Sequence, residues 1–100
     1  MLAISGVSTS GINGNVFYAG LIAGKPAWST DGSQTAGAGN TIVEYISGTS
    51  WKVSRGTSYS ATKVSGAATP DGLTSWTVGT GTGSPGLAAA AAPTPNVITA

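Results

Sequence analysis

Apolar and polar residues alternate along most of this chain in short runs, and turn residues punctuate those runs every few positions. A period of two sends every second side chain to one face of a sheet, so the pattern predicts β-strands. Residues 2–8 alternate weakly through Leu2 and Ile4, with Val7 out of step, and are expected to form an edge strand or an N-terminal arm. Asn13-Gly14 reads as a turn because both residues tolerate positive φ. The run Val16-Phe17-Tyr18-Ala19-Gly20-Leu21-Ile22 behind it reads as the first core strand. Ala23-Gly24 then reverses the chain into Lys25-Pro26-Ala27-Trp28, where Pro26 has no N–H to give a ladder and marks an edge strand or a strand start.

Residues 29–40 carry no apolar period and many turn formers, which predicts an exposed loop. Beyond it, Ile42, Glu44 and Ile46 alternate with Thr41, Val43 and Tyr45, so Glu44 takes one face and Val43 with Tyr45 the other; Tyr45 should point inward. Ser47-Gly48-Thr49-Ser50 turns the chain into Trp51-Lys52-Val53-Ser54, with Trp51 and Val53 sharing a face. Arg55-Gly56 reverses it again into Thr57-Ser58-Tyr59-Ser60-Ala61. Pro70-Asp71-Gly72 is a turn with φ preset by the proline, and it introduces the strand Ser75-Trp76-Thr77-Val78.

These elements predict an all-β fold, a small antiparallel meander forming a compact sandwich or partly open barrel. The expected division is an N-terminal edge strand or arm over residues 1–10, a β domain over 11–78, and an extended Gly/Ala/Pro-rich C-terminal arm over 79–100. The arm contains no charged and no aromatic residue. Its stretch from Leu87 to Ala92 favours helix by propensity, is too short to hold one alone, and is stopped by Pro93. Val97-Ile98 is expected to dock as an extra strand.

Composition narrows the functions open to such a fold. At 100 residues the chain holds one domain with one modest core. Charged residues make up 7% of it, against roughly a quarter in ordinary globular proteins, so solubility does not rest on charge. The four basic residues are scattered and form no stripe to neutralise phosphates, which argues against nucleic-acid binding. The first ten residues lack the basic and apolar regions of a cleaved leader, and no apolar run approaches the roughly 20 residues that cross a bilayer. No membrane partner is expected.

With no His and no Cys, nucleophilic catalysis and thiolate metal sites have no residues to use. Asp31, Glu44 and Asp71 are the only acids. Asp31 and Asp71 each precede a glycine, where Asp stabilises a turn through its own side chain, and Glu44 is the polar member of an alternating strand. Catalysis, a metal and a cofactor are therefore not expected. Trp28, Trp51, Trp76, Tyr45 and Tyr59 read chiefly as core anchors, since so small a domain has few other large side chains to bury. Trp28, beside the polar loop, is the one that also suits a binding role.

A longer pattern runs through Asn13-Gly14-x-x-Phe17, Gly24-Lys25-Pro26-x-Trp28, Gly48-x-x-Trp51-x-Val53, Tyr59-Ser60 and Thr69-Pro70-Asp71-x-Leu73-x-x-Trp76-x-Val78-x-x-Gly81. It resembles small all-β modules of bacteriophage virion proteins and of modular bacterial surface proteins, over roughly residues 11–85. The resemblance implies a non-enzymatic structural protein located in the virion, bound to other virion proteins. The expected role is a capsid decoration or cement subunit on the major capsid protein. The alternative is a receptor- or carbohydrate-binding module of a tail or fibre, with a glycan as ligand. Residues expected to meet a partner are Trp28 and Asp31 beside the polar loop, and Leu87, Val97 and Ile98 in the arm. Two edge strands and an arm also suit a homo-oligomer.

Overall fold

The computed structural model describes residues 1–35, 37 and 39–90. The alternating runs form eight strands: β1 (Leu2–Ser5), β2 (Gly14–Ile22), β3 (Lys25–Ser29), β4 (Thr41–Ile46), β5 (Ser50–Arg55), β6 (Tyr59–Val64), β7 (Thr77–Thr80) and β8 (Gly86–Ala89). Their order across the sheet is β7-β6-β5-β4-β3-β2-β1-β8, antiparallel throughout, and no helix occurs among the described residues. The fold is the expected all-β meander, with its last strand returned to the far edge beside β1.

Connectivity dictates the curl of this sheet into a half-barrel. Laid flat, eight strands would hold their edge strands about 33 Å apart. The edges here are β7 and β8, consecutive in the chain, and the Cα steps from Thr80 to Gly86 reach at most about 21 Å. β2 makes the corner. Its first part pairs with β1, Val16 opposite Leu2, and its second with β3, Phe17 opposite Ser29. A strand that changes partner midway lets a sheet turn without losing its ladder.

The core lies inside the curl. Trp51 and Tyr59 are fully buried, with Val43, Val53 and Ala61 around them and Leu2, Ile4, Val16 and Leu87 closing from the β8-β1-β2 side. Tyr45 points inward as its alternation predicts; its ring meets Trp51 edge-on at 5.3 Å between centroids. Buried polar tips are paired: the Trp51 indole donates to the Ala67 carbonyl at 3.1 Å and the Trp76 indole to the Leu73 carbonyl at 3.2 Å. Trp76 sits just ahead of β7, which runs two residues later than the expected strand at 75–78.

One end of the half-barrel is closed by the connection between β7 and β8. Ser8 N–H donates to the Thr82 carbonyl at 2.9 Å, Thr82 N–H to the Thr9 hydroxyl at 2.9 Å, and the Tyr59 hydroxyl to the Gly83 carbonyl at 2.6 Å. Gly83 has to be glycine. Its φ is +92°, and a Cβ there would lie 2.5 Å from Ser8 N and 2.6 Å from Gly6 O.

Three expectations about the ends of the chain are corrected. Residues 2–5 are neither an edge strand nor an arm, because β1 lies between β2 and β8. The boundary at residue 78 falls inside β7, so residues 79–90 belong to the domain. Leu87, expected on the arm with helical propensity, is a strand residue opposite Ile4 with its side chain in the core; ladder pairing outweighs a weak local preference. Val97 and Ile98 lie outside the described residues.

Candidate functional site

The polar loop at 29–40 turns back onto the sheet rather than standing away from it. Ser29, at the end of β3, is fully buried, and its hydroxyl donates to the Ser33 carbonyl at 2.6 Å. Asn40 is buried and its amide donates to the Thr35 carbonyl at 2.8 Å. Asp31 accepts from Ser33 N–H at 2.9 Å and from the Ser29 hydroxyl at 3.3 Å. The Ser33 backbone N–H is the main reason its carboxyl is held below the ordinary aspartate value, with the Ser33 and Ser29 hydroxyls adding to it. Asp31 is thus committed to holding the loop, and the expectation of a wholly exposed loop is corrected for its Ser29 and Asn40 ends.

Gln34 carries this loop across to β2. Its Nε2 donates to the carbonyl of Ala19 at 2.9 Å and to that of Leu21 at 3.2 Å. Between the pairs Tyr18–Trp28 and Leu21–Pro26 the register shifts, so Ala19 and Gly20 stand opposite the single residue Ala27. This is a β-bulge, with Gly20 at φ +92°. Directly opposed residues share a face of the sheet. The bulge therefore sets Tyr18 and Leu21 on one face, where unbroken alternation would separate them.

The consequence is an apolar rim. Phe17 is 41% exposed, Tyr18 59% and Leu21 61%, with Phe17 on the opposite face from the other two. β1 covers β2 only from Gly14 to Val16, so among the described residues no strand flanks 17–22 on the side away from β3. Phe17, Tyr18 and Leu21 wrap this uncovered margin, and β2 carries no charge along its length. From the sequence, these residues are expected to form a core strand. The signal against it was Val16-Phe17-Tyr18, three consecutive large side chains that no single face accepts, followed by a glycine inside a strand.

Of the residues expected to meet a partner, Trp28 lies closest to the rim, opposite Tyr18, yet its ring is buried and packs 6.2 Å from Trp51. Asp31 lies on the loop that carries Gln34. Leu87 is on β8, inside the core. No grouping of acids able to hold a metal, and no pocket, occurs among the described residues. No helix long and apolar enough to cross a membrane is present among them. Comparison with protein-family models, with characterised proteins and with solved structures finds no match.

Proposed function

We propose that this chain is a non-enzymatic structural protein of a phage virion, a capsid decoration or cement subunit that binds its neighbours, the major capsid protein first among them. The observation that carries the docking part is the rim of Phe17, Tyr18 and Leu21. It is uncharged, exposed, and held in place by a bulge and a side-chain clamp that a freely variable surface would not need. A cluster of exposed large apolar side chains on one uncharged strand supports a reading as an interaction site. The virion part rests on the order of turn and aromatic residues from Asn13 to Gly81 and on the low charge.

The carbohydrate-binding alternative loses its best residues, since Trp28 and Trp51 are buried and offer no ring face to a sugar. Immuno-electron microscopy of particles purified from cells that make the chain separates the readings. Regular labelling over the capsid supports the proposal, labelling confined to tail or fibre tips supports the alternative, and particles without the chain overturn both.

A further inference from the structure

The connection between β1 and β2 is closed at its base by a side chain that imitates backbone. Val7 N–H donates to Asn13 Oδ1 at 3.0 Å, and Asn13 Nδ2 donates to the Val7 carbonyl at 2.7 Å. The amide thus exchanges both bonds with Val7, as an opposed residue of a neighbouring strand would. Other contacts of this turn run to distant parts of the fold. Ser8 and Thr9 meet Thr82, the Gly11 carbonyl accepts from the Arg55 guanidinium at 2.9 Å, and Val7 and Ile12 are buried in the core. Asn13 is the clasp of the turn that carries these attachments.

The residue after this clasp is a glycine, which opens a reaction to it. Asn13 and Gly14 are exposed, so water reaches both, and nothing lies within 4 Å of where a Cβ on Gly14 would stand. With no side chain, the Gly14 nitrogen has an unobstructed approach to the side-chain carbonyl carbon of Asn13. Giving up its proton, that nitrogen bonds to the carbon; the Cγ–Nδ2 bond breaks, ammonia leaves with the proton, and a succinimide closes. Water then opens the ring at either carbonyl and leaves an aspartyl or isoaspartyl link to Gly14, with a carboxylate where the amide stood. Asn15 is exposed too, but it precedes Val16, whose branched Cβ crowds the same approach.

The fold restrains both reacting groups. Asn13 is tied to Val7 through both of its polar atoms, and Gly14 is held in the ladder opposite Ile4. The product does not fit this geometry, because a carboxylate oxygen in place of Nδ2 sets two acceptors against each other at the Val7 carbonyl. We propose that Asn13-Gly14 is a site of spontaneous deamidation restrained by its pairing with Val7. It reacts when the connection between β1 and β2 opens locally, and the carboxylate then keeps the clasp from closing again. The proposal concerns the isolated chain and does not depend on a virion role.

Asn15 supplies an internal reference for the test. The natural full chain is incubated at neutral pH, folded in buffer and unfolded in guanidinium chloride, and amide-to-acid conversion at each asparagine is followed by fragment mass spectrometry. Conversion at Asn13 is expected to lead that at Asn15 in the unfolded chain and to be at least about tenfold slower in the folded one. Equal rates at Asn13 in the two states overturn the restraint, and conversion led by Asn15 overturns the site. Asn13→Asp introduces the carboxylate without the reaction and tests its consequence. Its melting temperature is expected to fall by at least about 4 °C, with faster amide hydrogen exchange at Val7 and Ser8. A variant that melts and exchanges like the natural chain contradicts the proposal.

Discussion

The side-chain amide of Gln34 donates to the carbonyl oxygen of Ala19 at 2.9 Å, and its second N–H serves the Leu21 carbonyl at 3.2 Å. An amide nitrogen has two hydrogens, and both are used on one bulge. The loop that looks like an idle connection between β3 and β4 is therefore the brace that keeps Tyr18 and Leu21 on one face. Gln34→Ala is expected to cost about 1 kcal/mol, the ordinary net worth of such hydrogen bonds. Gln34→Glu should cost more, because it turns a carboxylate acceptor toward two carbonyls. Urea unfolding of the two variants checks the order.

Two glycines with positive φ should respond very differently to a methyl group. Gly83→Ala drives a Cβ into the backbone at Ser8 and Gly6 and should destabilise by at least about 3 kcal/mol. Gly24, at φ +79° in the turn between β2 and β3, has nothing within 4 Å of the same position. Gly24→Ala should cost only about 1 kcal/mol, the strain of a left-handed residue. Thermal melts of the pair distinguish steric closure of the barrel end from simple backbone preference.

Alkaline pH should loosen the same closure. Burial raises the pKa of Tyr59 above its ordinary value of 10.0, since the phenolate is poorly solvated there. A folded-state pKa raised above the unfolded one gives stability that is fully present below the unfolded value and lost as pH rises through the folded one. Stability measured by urea should therefore decline above about pH 10. Tyr59→Phe removes the hydrogen bond to Gly83, at a cost of about 1 kcal/mol, and should flatten that decline. Asp31 acts with the opposite sign: its lowered pKa gives stability present above 3.8 and lost as pH falls through the folded value. Asp31→Asn should remove that acid-side dependence.

The core should depend on Trp51 above any other aromatic residue. It is fully buried, packs on Trp28 and Tyr45, and donates to Ala67. Trp51→Ala should cost about 3–5 kcal/mol, a large part of the stability of so small a domain. Val64→Ser, at a side chain 78% exposed on β6, should leave the melting temperature nearly unchanged. Circular dichroism melts give both values.

Local alternation made much of this fold legible. Trp51 could be assigned to the core because Trp51 and Val53 share one face of β5 while Lys52 and Ser54 take the other; in β4, with isoleucines on the second face, Glu44 is the one residue that assigns Tyr45 inward. Leu87 was illegible for a different reason: its neighbours are alanines with helical preference, and only the ladder with β1, far away in sequence, makes it a strand. The bulge at Ala19 and Gly20 depends on how β2 meets β3, which no period within β2 encodes. The 29–40 segment misled because turn residues are polar whether they face water or bond to the backbone. Ser29, Gln34 and Asn40 do the second.

The proposed working surface of this chain is the rim of β2. The most direct measurement compares the binding of the natural chain and of a Phe17→Ser, Leu21→Ser variant to capsids assembled without the protein. Both positions are exposed, so the variant should fold with stability changed by about 1 kcal/mol or less. The predicted result is a loss of affinity of at least tenfold at an unchanged melting temperature. Equal binding by the two proteins would contradict the assignment of the rim as the working surface.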